Sequence, residues 1–166
     1  AMMDNRLEID PHSVVAQADY SIVNGKLHNY QTLQTISDYF KENIVLRKAF
    51  KADELSQRLK EVSFYKIEHQ LLVKNDTVHF PQMRIESNII SVNLRGKHAF
   101  TNHVNYHIDL NIRDYFKKEK ITETENGYVM DDGTGGKRIF LKVTGPLDNP
   151  EISFDKESRK AQSKQI

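Results

Sequence analysis

Seven histidines in a chain with no cysteine are the first residues to test for chemistry. His98, His103 and His107 cluster in sequence, but on a strand His103 and His107 sit about 13 Å apart, too far to share one ion. His107 and Asp109 could both touch a metal, yet two ligands without a third do not make a site. Residues 132–138, DGTGGKR, superficially resemble a phosphate loop. They lack the first glycine at the needed distance, carry Arg where Ser or Thr must follow the lysine, and precede no helical pattern. No serine lies in a Gly-x-Ser-x-Gly elbow, and no carboxylate pair shares an apolar wall that would separate their pKa values. The expectation is a protein that is not an enzyme, with no catalytic residues, no metal and no cofactor.

Composition narrows the classes further. The absence of cysteine excludes thiolate zinc sites, disulfides and cysteine nucleophiles together. With 24 basic and 23 acidic residues the net charge is +1, so no general attraction to nucleic acid is expected. No apolar run exceeds three residues, so no segment reads as a membrane span or a signal-peptide core. Ala1-Met2-Met3 reads as a cloning remnant ahead of a single domain over residues 4–155, followed by a polar, frayed tail at 156–166.

The longest strand pattern lies between Thr77 and Phe116. Val104, Tyr106, Ile108, Leu110 and Ile112 alternate with Asn105, His107, Asp109, Asn111 and Arg113, the period of a strand with one dry face and one wet face. Ile90, Val92 and Leu94 alternate in the same way, and pairing the two runs with every apolar residue on one face fixes the parity of the turn. A three-residue loop, Thr101 to His103, satisfies it by placing Phe100 opposite Val104 and Leu94 opposite Leu110; a bulge at Gly96 with a shorter turn does so equally. Left in water, eight such side chains would forgo roughly 12 to 24 kcal/mol, so the even-numbered face must be covered. The cover is either ordinary core or the acyl chains of a lipid. On the wet face His107 is expected to tolerate a charge.

Around this ribbon the sequence places further elements. Residues 13–23 alternate into Asn24-Gly25, a pair suited to a type I′ hairpin turn, with Lys26 to His28 as the return strand. A second hairpin runs from Leu71 through Lys74-Asn75-Asp76 to Phe80. Two short amphipathic helices are expected between them. The first spans about Tyr30 to Glu42 with Asn29 as N-cap and a Leu33, Ile36, Phe40 stripe; the second starts near Asp53 as cap and carries Leu55, Leu59 and Val62. They should lie on the sheet or plug one end of it. Pro81 marks an edge or bulge, and the apolar phase shifts there and again across Ser87-Asn88. Residues 117–137 lose periodicity and read as a mobile loop, after which Ile139, Leu141 and Val143 alternate and a last short strand follows at Ile152 to Phe154. The fold class is therefore mainly β (α+β), an antiparallel curved sheet or β-groove built of hairpins with two short helices.

The central segment also resembles a known family. Pro81, Met83, Ile85, Ser87 and Asn88, then a strand ending at Gly96, a turn with Asn102, and a strand with Val104, Tyr106, Ile108 and Leu110 are similar to the hallmark phrases of the C-terminal region of AsmA-like proteins. VNGKLHNYQTLQTISDYF upstream and RIFLKVTGPLDNPEISFD downstream resemble that family's flanking phrases in the same order, so the likeness covers most of residues 20–155. Ile89-Ile90 departs from the small residue and Leu usual there. The resemblance implies a Gram-negative periplasmic module, anchored to the inner membrane through a segment outside this sequence, and related in design to bridge-like lipid-transfer proteins. It implies that Ile90, Val92, Leu94, Val104, Tyr106, Ile108, Leu110 and Ile112 line an apolar β-groove. That groove would carry phospholipid between inner and outer membranes and so support outer-membrane integrity and biogenesis, with phospholipid acyl chains and envelope proteins as partners. The alternative is a structural capping or docking domain in envelope assembly whose apolar face is sealed as ordinary core.

Overall fold

The computed structural model describes residues 13–111, 115 and 138–163. Seven antiparallel strands follow one another in chain order across a single open sheet: β1 (Val15–His28), β2 (Glu61–Lys74), β3 (Thr77–Glu86), β4 (Ser91–Ala99), β5 (His103–Asn111), β6 (Arg138–Pro146) and β7 (Glu151–Phe154). Among the described residues it is accompanied by the short helices α1 (Gln31–Glu42), α2 (Ile44–Phe50), α3 (Ala52–Arg58) and α4 (Lys156–Ser163). The expected mainly β, antiparallel architecture is present, with more helices among the described residues than the two expected.

The central hairpin keeps the expected parity and a three-residue loop, displaced by one residue. Val92 faces Leu110, Leu94 faces Ile108, Gly96 faces Tyr106 and His98 faces Val104. The loop is thus Phe100 to Asn102, and Asn102 takes the left-handed conformation at φ 63°. Such loops need one left-handed residue at their last position. Asn tolerates it better than His103, which would have stood there in the other register.

Two local expectations about turns meet different fates. At Lys74-Asn75-Asp76-Thr77 the chain makes a two-residue turn with both central residues at positive φ, 51° and 52°, and Lys74 pairs with Thr77. At Asn24-Gly25 there is no hairpin. The chain continues as one 14-residue strand paired with β2 on both sides of Asn24, which is left-handed at φ 53° but does not reverse the chain. Phe64, opposite Gly25, accounts for the glycine: a Cβ there would stand 2.1 Å from the ring. Gly25 makes room for an aromatic side chain and does not turn the chain.

The bulge at Pro81 is present as a register shift between Phe80 and Met83. His69 Nε2 lies 3.1 Å from the Gln82 carbonyl at the break, satisfying an acceptor the ladder leaves over. The second phase change is the β3–β4 connection itself. There the Ser87 hydroxyl accepts from the Ile89 and Ile90 N–H groups and donates to the Ile90 carbonyl. Ile90 therefore sits in the turn and not on β4.

The helices differ from the sequence reading in their bounds. Asn29 is not the N-cap of α1; it is left-handed, and Tyr30 holds the cap position without a side-chain bond. Asp53 lies in the first turn of α3 behind Lys51, Leu59 is its C-cap, and Val62 belongs to β2. α2 was not expected; Asn43 caps it by accepting from Val45 and Leu46 N–H. The frayed tail is corrected too, because residues 156–163 are helical. The expected loop at 117–137 lies outside the described residues.

One core joins helices to sheet. Phe40, Leu46, Phe50, Leu55 and Leu59 from the helical segment meet Val62, Ile89, Ile90, Leu110, Ile139 and Leu141, with Tyr115 stacked edge-on against Phe50 at 5.4 Å. The helices thus plug one end of the sheet, where β2 starts, β3 turns into β4 and β5 ends.

Candidate functional site

The eight candidate groove residues divide by how well they are covered. Ile90, Val104 and Leu110 are 8%, 4% and 7% exposed, and Ile90 and Leu110 belong to the core. Val92 and Ile108 are partly buried and pack against that core. Leu94 and Tyr106 are half-buried. Ile112 lies outside the described residues. The register brings Val92, Leu94, Val104, Tyr106, Ile108 and Leu110 onto one face, joined by Ile139, Leu141 and Val143 of β6 and by Met83 and Ile85 of β3.

Toward the end of that face away from the core, aromatic groups replace aliphatic ones. Tyr106 packs edge-on against Phe80 at 6.1 Å, and its hydroxyl lies 3.1 Å from His98 Nδ1. Burial pushes the Tyr106 phenol above its usual value, so it stays protonated near neutrality and can donate to the imidazole. α1 crosses toward this end, with the Thr32 hydroxyl donating to the Leu147 carbonyl at 3.4 Å and Tyr39 edge-on to Phe154 at 6.4 Å.

The opposite face of the same strands carries a polar cluster that sequence reasoning did not assemble. His107 Nδ1 donates to Asp155 Oδ2 at 2.6 Å, and Asp155 is 3% exposed. Asp155 also precedes α4 and caps it, accepting from Ser158 N–H at 3.0 Å and from the Ser158 hydroxyl. Arg95 donates to that hydroxyl at 2.8 Å. Burial alone would raise the Asp155 pKa; the bonds from the Ser158 hydroxyl and N–H and from His107 outweigh it and hold the group at about 2. Beside this, Asp109 pairs with Arg138 through both carboxylate oxygens and accepts from Asn93. These groups border a pocket of about 300 Å³ between the sheet and α4.

The cluster contains Ser, His and Asp but not a hydrolytic arrangement. The Ser158 hydroxyl donates to the carboxylate and not to the imidazole, so no base activates it. His107 and Asp109, the pair considered for a metal, each turn to a different protein partner, Asp155 and Arg138. Among the described residues no group of three His, Asp or Glu side chains could hold a metal ion. The expectation that His107 tolerates a charge is corrected by the same contact, since a carboxylate there would face buried Asp155. One signal for the cluster was present in the sequence: Asp155 followed by helix-forming residues, with Glu157 in the first turn and Lys160 in the last, is a helix start. Its partnership with His107, 48 residues away, left no local trace.

Comparisons of the chain with protein-family models, with curated proteins and with solved structures find no match. Among the described residues no helix is long and apolar enough to cross a membrane.

Proposed function

We propose that this chain is a non-catalytic capping or docking module of the bacterial envelope, whose apolar sheet face is closed by its own helices. The observation that carries the reading is the coverage of that face, where Leu110 is 7% exposed within the core that the helices form and Val92 and Ile108 pack against it. The two sheet edges are also unlike. β7 is a four-residue strand running into α4, a short edge of the kind that resists further pairing. β1 is a 14-residue edge with Val15, Ile22, Val23 and Leu27 exposed, and such an edge is a template for another strand. An end piece needs one closed edge and one open edge. The resemblance of residues 20–155 to AsmA-like proteins supports the periplasmic setting, with envelope proteins as partners.

A second reading, a lipid-conduit module, is favoured by the half-exposure of Leu94 and Tyr106, where acyl chains would find an aromatic and aliphatic floor. Photo-crosslinkers at Val92, Tyr106 and Ile108 separate the two in the envelope. Capping predicts crosslinks within the chain or to protein, as at Asn105 and Asn111. Phospholipid captured at the first three positions and not at the last two would overturn capping and establish the conduit.

A further inference from the structure

α2 is a seven-residue helix whose two faces have different fates. Leu46 and Phe50, one turn apart, are fully buried against α1 and α3. Ile44 and Val45, in its first turn, are each 64% exposed, as high as any large apolar residue described. The next turn carries exposed Arg47 and Lys48, and neither makes an ion pair among the described residues. No acidic residue stands in α2. In sequence, the carboxylates nearest α2 are Glu42 before the Asn43 corner, Asp38 paired with Lys41 at 3.8 Å, Glu54 paired with Lys51 at 3.7 Å, and Asp53 in α3.

β-Branched side chains held this far into water by a capped helix need a reason, since a helix of this length could present serine or lysine there at no cost to its packing. We infer that the α2 turn is a membrane-surface contact that takes an anionic bilayer. Ile44 and Val45 enter the boundary between headgroups and acyl chains, while Arg47 and Lys48 meet lipid phosphates. The charge pattern selects this occupant, because apolar tips flanked by free cations are complementary to an anionic interface. Its size argues the same way. A stable protein interface takes about 800 Å² from each partner, more than two side chains can offer, whereas a peripheral membrane contact needs only a few inserted residues. The contact is independent of whether the sheet face is sealed or open.

Cosedimentation of the whole chain with vesicles tests it, using phosphatidylglycerol-rich and pure phosphatidylcholine vesicles at low and high salt. Wild-type protein should bind the anionic vesicles and lose that binding as salt rises. Ile44→Ser with Val45→Ser should weaken it about tenfold or more, from the apolar area lost. Arg47→Gln with Lys48→Gln should abolish the preference for anionic vesicles. All four positions are exposed, and an unchanged thermal melt verifies the fold of each variant. Absence of wild-type binding at low salt overturns the inference, as does binding that both double variants retain. Concentration-dependent self-association that Ile44→Ser with Val45→Ser removes, without vesicle binding, would assign the patch to a protein interface instead. None of these outcomes depends on the crosslinking result for the sheet face.

Discussion

A methyl group added at Gly96 would stand 2.2 Å from the Asn105 carbonyl oxygen and 2.8 Å from the Tyr106 Cα, both backbone atoms of the partner strand. Its φ of 152° also falls where side chains are strained. Gly25 is crowded too, but by the Phe64 ring, which can rotate away. Gly96→Ala should therefore cost about 2 to 4 kcal/mol and Gly25→Ala about 1 kcal/mol. Phe64→Leu should relieve the second and leave the first untouched. Urea melts of the single and double variants check this, and equal costs at the two glycines would contradict the assigned neighbours. The sequence made both glycines visible without giving their purpose. Gly25 followed Asn24 and so carried the signature of a turn, while the ring that needs the space lies far off at Phe64. Local pattern cannot separate a glycine that bends the chain from one that accommodates a neighbour.

Among elements, the strands were legible and the short helices less so. Alternation over Val104 to Leu110 and Ile139 to Val143 reports a face half in water, and both runs are strands with those residues turned inward. α2 escaped because IVLRKAF is too short to show a helical period and opens with two β-branched residues that prefer strands. α4 escaped because a polar helix shows no apolar stripe at all. Its stability rests on Asp155, which caps the helix and receives His107 from the sheet. Asp155→Asn keeps a capping oxygen but removes the charge that His107 and Ser158 donate to; it should cost about 1.5 to 3 kcal/mol, in the range of a hydrogen bond to a charged group, and should loosen α4 first. The pH dependence has a fixed sign. A carboxyl held at about 2 when folded, against 3.8 ordinarily, adds stability that is complete above pH 4 to 5 and disappears as pH falls toward 2. Amide protection in residues 156–163, after correction for the intrinsic pH dependence of exchange, should fall over that window in the wild type. The same residues in Asp155→Asn should show a flatter profile there, and identical profiles would remove Asp155 as the anchor.

Across the whole molecule, apolar cover is unevenly spread, and stability should follow it. The core gathers α1, α2 and α3 around the ends of β4, β5 and β6, while exposed Val15, Ile22, Val23, Tyr65 and Leu72 mark β1 and β2 as thinly covered. Leu110→Asp would bury a charge among the core side chains and should cost about 3 to 5 kcal/mol. Val15→Asp at the far edge should change stability by less than about 0.5 kcal/mol. Because local opening free energy tracks the density of buried contacts, amide protection should be greatest in β5 and β6, flanked by strands and backed by helices. It should fall across β2 and be least in β1, whose outward N–H groups have no strand beyond them among the described residues. A partner strand added along β1 would raise protection there while leaving β5 and β6 as they were. Hydrogen exchange on the isolated chain measures the gradient directly. Protection in β1 equal to that in β5, in a monomer, would show that the edge is already closed and would leave the capping reading without its open side.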